Sequence, residues 1–402
     1  MQEALDRAMA QAVDVLGQWK GHGVRLFHHN DADGLSSAAI LTCALGRAGY
    51  RFERCCLEKP YPPVIEKIFQ DSEQIMIFAD FAGQIAPLLA KANRGRNLVL
   101  ILDHHPALPS QDPLVLNLDP HLFGFRGDRD VSASTVCFRF AASLDPANRD
   151  LAYLAVIGAV GDGFFADGHL TGLNRQAAQK AAALGQLDIA SRSGGEGYRL
   201  LGPVHARPVS ALAAALDLLG GVGYFKGGPG AAVRICLEGC DPTAEQLHGD
   251  LLDLRDRLFA AEIETLCSGA LIAAGGLQWF SVANRFDGIG VKTIGSFCTH
   301  IRGEDFIDTE KYIAGFQPVP NMVPGLGRID FDAVKVSMRV PPALEARIER
   351  REMPGLDWLL PEATRSVGGF ADACHSLAAA TTIPPGTEAK LIAAMDALLL
   401  KF

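Results

Sequence analysis

A chain of 402 residues is too long for one ordinary core, and at 49% apolar and 21% charged it is ordinary for a globular protein rather than a disordered one. A net charge of −9 argues against a long, nonspecific grip on a nucleic-acid backbone, without excluding a nucleotide substrate. No apolar run approaches a membrane span, the start Met1-Gln2-Glu3-Ala4-Leu5-Asp6 shows no leader pattern, and nine scattered cysteines include no Cys-x-x-Cys pair. The expectation is a cytoplasmic protein with reduced thiols and no membrane partner.

Apolar positions at helical spacing (Leu5, Met9, Ala12, Val13, Leu16) predict a first helix over 2–16, packed on the first sheet. Short apolar runs at 24–28, 74–79, 98–102 and 114–118 then alternate with helix-length segments or turns. Such runs indicate a mainly parallel, doubly wound sheet covered on both faces. Helices are expected over 35–45, from Ser132 to about Ser143, and over 149–160. From 173 to about 266 the reading is helical and loop-rich, with the glycine groups 194–195, 220–221 and 227–230 taken as plain turns. Strand-like runs at 277–282, 312–317 and 333–340, a loop over 366–374 and a final helix over 387–400 complete the chain. The fold class is therefore α/β: a parallel-sheet domain over 1–190, a helical connector over 191–268 and a smaller α/β domain over 269–402.

His29-Asn30-Asp31-Ala32-Asp33-Gly34 directly follows the first apolar strand. In an open α/β sheet that is where ligands bind. The aspartates can cap the following helix, or, repelling each other, hold a cation. Asp80 and Asp103 end two further strands, Asp119 follows a fourth, and Asp162 stands between Gly161 and Gly163. With His104 and His105, these acids offer more groups than one ion needs. Carboxylate and imidazole ligands without thiolate suit Mn²⁺ or Mg²⁺, with Zn²⁺, Co²⁺ and Fe²⁺ as alternatives. Two such ions can clamp the oxygens of an in-line phosphoryl displacement. His28 is the rival to His29, but strand alternation sends the two to opposite sides and only His29 fits the spacing.

Four motifs, His29-x-Asp31-x-Asp33-Gly34, Asp80, Asp103-His104-His105 and Gly161-Asp162, stand in the order seen in the DHH phosphoesterases, which the chain resembles. The second half resembles the associated DHHA1 substrate-binding domain through 335–339, Gly368-Gly369, and His375 followed by Ala378-Ala379-Ala380-Thr381. Gly172-Leu173-Asn174-Arg175 and the long connector look most like the archaeal-type RecJ-like nucleases.

The resemblance implies two divalent ions, Mn²⁺ first with Mg²⁺ or Co²⁺ as alternatives. His29 and Asp31 would hold one, Asp33, His104 and Asp162 the other, and Asp80 would bridge them. Asp103 would orient the histidine pair and His105 would face the scissile phosphate, so that His105, Asp103 and Asp80 carry the catalysis. Ser337, Arg339, Gly368, Gly369 and His375 would hold the substrate, with Arg328, Lys335 and Phe370 as further candidates. The usual glycine run leads directly into histidine, whereas here 370–374 intervenes between Gly369 and His375. The expected activity is two-metal hydrolysis of short single-stranded oligonucleotides, of the RecJ-like exonuclease or nanoRNase type, with substrate bound between the domains. The alternatives are small nucleotides (a cyclic dinucleotide or 3′-phosphoadenosine phosphate), then pyrophosphate or polyphosphate, then a non-catalytic scaffold.

Overall fold

The computed structural model describes residues 1–21, 23–192, 194–202 and 206–402. The chain divides into two compact units: Met1–Gly249 with Val323–Ile329, and Asp250–Met322 with Asp330–Phe402.

Unit 1 opens with α1 (Gln2–Gln18), β1 (Gly23–His28), α2 (Ala32–Arg47), β2 (Arg51–Cys56), α3 (Pro62–Ile68), β3 (Ile75–Ala79), α4 (Ala86–Asn93), β4 (Leu98–Leu102) and β5 (Val115–Asn117). The five strands form one parallel sheet in the order β2-β1-β3-β4-β5. Strands β3 and β4 are fully buried, as their unbroken apolar runs require. The strand order reverses between β1 and β3, so the loops leaving their carboxyl ends diverge and open a crevice there. β2 has no apolar signature: Arg51-Phe52-Glu53-Arg54 is an exposed edge strand, legible only through its pairing with β1.

Two further helices, α5 (Ala133–Leu144) and α6 (Ala152–Gly161), pack around α2. α1 packs mainly against α5 rather than on the sheet, because its buried stripe of Leu5, Met9, Ala12 and Leu16 meets that helical layer. A short hairpin, β6 (Phe165–Ala166) and β7 (His169–Leu170), leads into α7 (Gly172–Ala183).

The segment expected as a helical connector is not a separate element. It begins at the end of β8 (Leu187–Arg192), which forms a hairpin with β9 (Gly195–Leu200), and continues through α8 (Val209–Gly221) and α9 (Gly228–Glu238), all four elements lying within unit 1. Gly194 and Gly195, with φ of 90° and 146°, do make a turn, but Gly220 and Gly221 close α8 and Gly228 and Gly230 open α9. α10 (Pro242–Thr265) runs on into unit 2.

The rest of the chain, in unit 2 but for the segment Val323–Ile329, carries β10 (Ile272–Ala274), β11 (Leu277–Ser281), α11 (Thr293–Ile301), β12 (Tyr312–Pro318), β13 (Met322–Val323), β14 (Gly327–Arg328), β15 (Val334–Arg339), α12 (Pro342–Glu349), α13 (Leu356–Ser366), β16 (Phe370–Cys374), β17 (Ala378–Ile383) and α14 (Glu388–Leu399). Val323 and the β14 strand count with unit 1, where the Cys55 thiol donates to the Pro324 carbonyl at 3.5 Å. The sheet order is β10-β11-β12-β15-β17-β16, antiparallel except between β11 and β12. Val334, Val336 and Met338 bury one face of β15 in a core with residues of α13 and α14. The expected loop over 366–374 is instead the edge strand β16, held to β17 through a bulge between Ala371 and Cys374. Among the described residues no helix is long and apolar enough to cross a membrane.

Candidate metal centre

Every predicted ligand of the first four motifs lies at the carboxyl edge of the parallel sheet. His29 and Asp31 leave β1, Asp80 leaves β3, Asp103, His104 and His105 leave β4, and Asp162 follows α6. His29 Nδ1 stands 2.7 Å from Asp31 Oδ2 and 3.3 Å from Asp80 Oδ2. His104 Nε2 stands 3.4 Å from Asp80 Oδ1, 3.5 Å from Asp162 Oδ2 and 4.0 Å from Asp33 Oδ2. Three groups with metal-ligating spacing result: His29, Asp31 and Asp80; Asp33, Asp80, His104 and Asp162; and Asp80, Asp103, His104 and His105. Asp80 is common to all three. It also has a left-handed backbone (φ 67°), a strained state for a residue with a side chain that folds tolerate where function requires it.

Both carboxylate oxygens of Asp80 and Nε2 of His104 are buried without a hydrogen bond. Buried acceptors left this way cost free energy unless a cation or proton occupies them. Burial and the charges of Asp31, Asp33 and Asp162 together push the Asp80 carboxyl well above the usual range. Burial works to lower His104, but Asp162, Asp33 and Asp103 outweigh it and hold the imidazole up at about 9. Without metal, protons take the place of cations. The donor set of carboxylate oxygens and imidazole nitrogens fits divalent ions of hard to borderline character.

The surroundings fix these groups. His104 Nδ1 faces the Gly127 carbonyl at 2.5 Å, which sets the tautomer and leaves Nε2 for the cluster. Asp103 Oδ1 accepts from His105 Nδ1 at 2.8 Å and its Oδ2 from the Gly83 N–H at 2.8 Å. Although burial opposes it, these contacts and the His105 charge hold the Asp103 carboxyl far below its usual range, so it stays ionised. Asp33 is anchored on the N-terminus of α5, accepting from the Ala133 N–H at 2.7 Å and the Ser134 N–H at 2.9 Å. A Cβ at Gly158 would come within 2.1 Å of Asp33 Oδ1, so only glycine lets α6 pass that close.

Several residues of this frame carry no recognisable signal in the sequence. Asp217 on α8 accepts from the Ala32 N–H at 3.0 Å, and the Gly220 carbonyl accepts from Asn30 Nδ2 at 3.0 Å. A Cβ at Gly220 would stand 1.7 Å from the Asn30 carbonyl oxygen, which explains a glycine inside a helix end. Asn174 stands in the stretch that resembles the RecJ-like nucleases, but its contacts are not legible there: it accepts from the Ser132 N–H at 3.0 Å and the Thr135 hydroxyl at 2.7 Å, steadying the turn that holds Asp33.

Residues 24–159, from β1 to α6, match the family model described as DHH family, N-terminal domain. The likeness to the DHH family thus covers the segment from β1 to α6 within unit 1. An uncharacterized protein of Methanocaldococcus jannaschii is 36% identical over 146 residues, 35% of this chain and 32% of that protein, so the chain aligns with about a third of that relative's length. The fold resembles RecJ from Thermus thermophilus in complex with Mn²⁺ (TM-score 0.62, 16% identity, 98% of this chain, 55% of that one). It also resembles the DHH domain of a member of the s1p family of ribosomal proteins (TM-score 0.65, 13% identity, 100% and 92%). A third likeness is to CDC45 from Entamoeba histolytica (TM-score 0.56, 9% identity, 99% and 98%). At these identities the likeness is one of fold. Asp162 and the whole of unit 2 lie beyond the segment matched to the DHH domain.

In unit 2 the candidate substrate residues divide. Ser337 and Arg339 share the face of β15 opposite the core, and a Cβ on Gly295 of α11 would meet Arg339 Nη2 at 3.0 Å and Ser337 Oγ at 3.2 Å. His375 begins the turn between β16 and β17, its N–H donating to the Ala378 carbonyl at 2.9 Å, and Ala378 is the register partner of Arg339. Gly368 and Gly369 lie at the other end of β16, beside Phe370 and its partner Thr382. The intervening strand spans roughly 15 Å, so the glycines and His375 do not form one cradle.

Proposed function

We propose that this chain is a metal-dependent phosphoesterase that hydrolyses the phosphodiester bonds of short single-stranded oligonucleotides. The observation that carries the reading is Asp80: a buried, strained carboxylate shared by three groups of potential ligands, with neither oxygen hydrogen-bonded. His29 and Asp31 would hold one divalent ion and Asp33, His104 and Asp162 a second, with Asp80 available to both and Mn²⁺ the first choice. Bound there, the ions supply Lewis acidity at the phosphate and activate water for in-line attack.

The chain's own groups do the rest. Asp103 keeps the Nδ1 proton of His105 and so presents Nε2 to the scissile phosphate. Asp33, fixed by two backbone N–H groups, keeps its oxygens in place as charge on the substrate shifts. In unit 2, Arg339 donates to the Thr299 hydroxyl and the Met338 carbonyl but pairs with no carboxylate among the described residues, which suits a guanidinium reserved for an anion. Phe165, three residues beyond Asp162, is 42% exposed while its neighbour Phe164 packs edge-on against His104 at 5.2 Å. An exposed ring three positions along the chain from Asp162, beside Tyr198 at 6.1 Å, offers a stacking face for a base and favours a nucleotide substrate over pyrophosphate.

The test is hydrolysis, by Mn²⁺-loaded protein of verified metal content, of a dinucleotide, longer RNA and DNA single strands, a cyclic dinucleotide and pyrophosphate. Turnover of the short single strands, abolished in Asp80→Asn, is expected. Metal-loaded protein inactive on the whole panel refutes the reading, and preference for the cyclic dinucleotide shifts it to small nucleotides.

A further inference from the structure

Unit 1 has a second concave site, a cavity of about 480 Å³ bounded by α1, α5 and α7, on a side of α5 that the metal cluster does not use. Its floor is apolar: Met9, Phe138 and Leu173 are each at most 8% exposed. Its polar lining is unbalanced, with Arg139, Arg149 and Lys180 against the single carboxylate of Asp6. Arg139 is tied to Asp6 and to Gln176, yet its Nε is buried with no acceptor. Neither the Arg149 nor the Lys180 side chain has a hydrogen bond or ion pair among the described residues. The nearby Asp150 does not compensate, because Arg47 holds both of its oxygens at 2.7 Å.

An excess of two positive charges over an apolar floor, in a chain of net charge −9, asks for an anion with an apolar body. The volume lies in the range that holds small molecules, and guanidinium groups suit the oxygens of a phosphate monoester. We propose that this cavity is a binding site, separate from the metal centre, for a small molecule bearing a terminal phosphate monoester on an apolar or aromatic body, the mononucleotide class. The phosphate lies among Arg139, Arg149 and Lys180, and the body covers Met9, Phe138 and Leu173.

The experiment is calorimetric titration of the metal-loaded full chain with AMP, adenosine and inorganic phosphate, repeated on Arg149→Ala/Lys180→Ala. Both substituted side chains lie outside the metal cluster and have no partners to lose, so metal content and melting temperature serve as controls for folding. The proposal expects AMP to bind more tightly than adenosine or phosphate, and the double variant to weaken AMP by about tenfold or more with metal content unchanged. AMP binding of equal strength in the variant places the ligand elsewhere, at the metal cluster, and overturns the site. Absence of saturable binding overturns it too. Phosphate binding as tightly as AMP overturns the assigned ligand class, since the apolar floor then contributes nothing.

Discussion

At the sheet edge of unit 1, ligands spread over more than 130 positions of chain, from His29 to Asp162, each come within 4.0 Å of another ligand, whereas in unit 2 Gly369 and His375, six positions apart, are driven to opposite ends of one strand. The difference follows from sheet type. Parallel strands all deliver their carboxyl ends to the same edge, so each strand-end acid joins a common cluster. In an antiparallel sheet successive turns fall at opposite edges, and a five-residue strand is enough to separate neighbours in sequence. Convergence in unit 1 is built into the topology; in unit 2 it must be sought between different elements, as Ser337 and Arg339 of β15 show beside Gly295 of α11.

The sharpest way to break this comparison is to remove the group on which unit 1 converges. Asp80→Ala is expected to lower Mn²⁺-dependent turnover by about 10³-fold or more, roughly 4 kcal/mol of barrier, and to reduce bound metal measured by mass spectrometry. Turnover unchanged in that variant would remove Asp80 from the centre of the cluster.

The same convergence buries a histidine that cannot ionise cheaply. Burial pushes His28 down to about 4, its Nδ1 lying 2.9 Å from the His29 carbonyl. The unfolded chain takes up this proton near pH 6.5 and the folded chain only near 4, so the contribution is intact above 6.5 and is lost as pH falls through that window. Between pH 7 and 5 the loss is about 2 kcal/mol of unfolding free energy. Denaturant titrations of wild type and His28→Asn at the two pH values measure it, and parallel losses in both would refute it.

Asp217 tests whether α8, beyond the matched DHH segment, belongs to the functional frame. Asp217→Ala should weaken metal affinity about 10- to 100-fold by releasing the Ala32 N–H. Asp217→Asn, which keeps an acceptor oxygen, should bind metal nearly as wild type does. Equal affinities in all three proteins would assign Asp217 to packing alone.

In unit 2 the expected effects are smaller and divide along β16. Arg339→Ala should raise KM about tenfold with little change in kcat, as loss of one charged contact predicts. Gly368→Ala, at a φ of 71° with open space around the added methyl, should cost about 1 kcal/mol of stability and leave KM alone. A KM effect at Gly368 as large as that at Arg339 would reunite the two ends of β16 in one substrate site.

The chain order of apolar runs, two of them closing directly on Asp80 and Asp103, indicated the parallel sheet and the edge on which His29, Asp31, Asp80, Asp103 and His104 lie, because unbroken apolar strands have few other destinations. Motif spacing likewise separated His29 from His28, since side chains of adjacent strand residues point to opposite faces. Tertiary structure alone decided what pairing and close approach control. β2 became a strand because β1 offered an edge, and 370–374 became one because β17 did. Gly220 proved to be a contact with Asn30 rather than a turn, and Asp217 and Asn174 entered the frame through backbone groups far away in sequence. Such roles depend on which surfaces meet, and local composition carries no record of that.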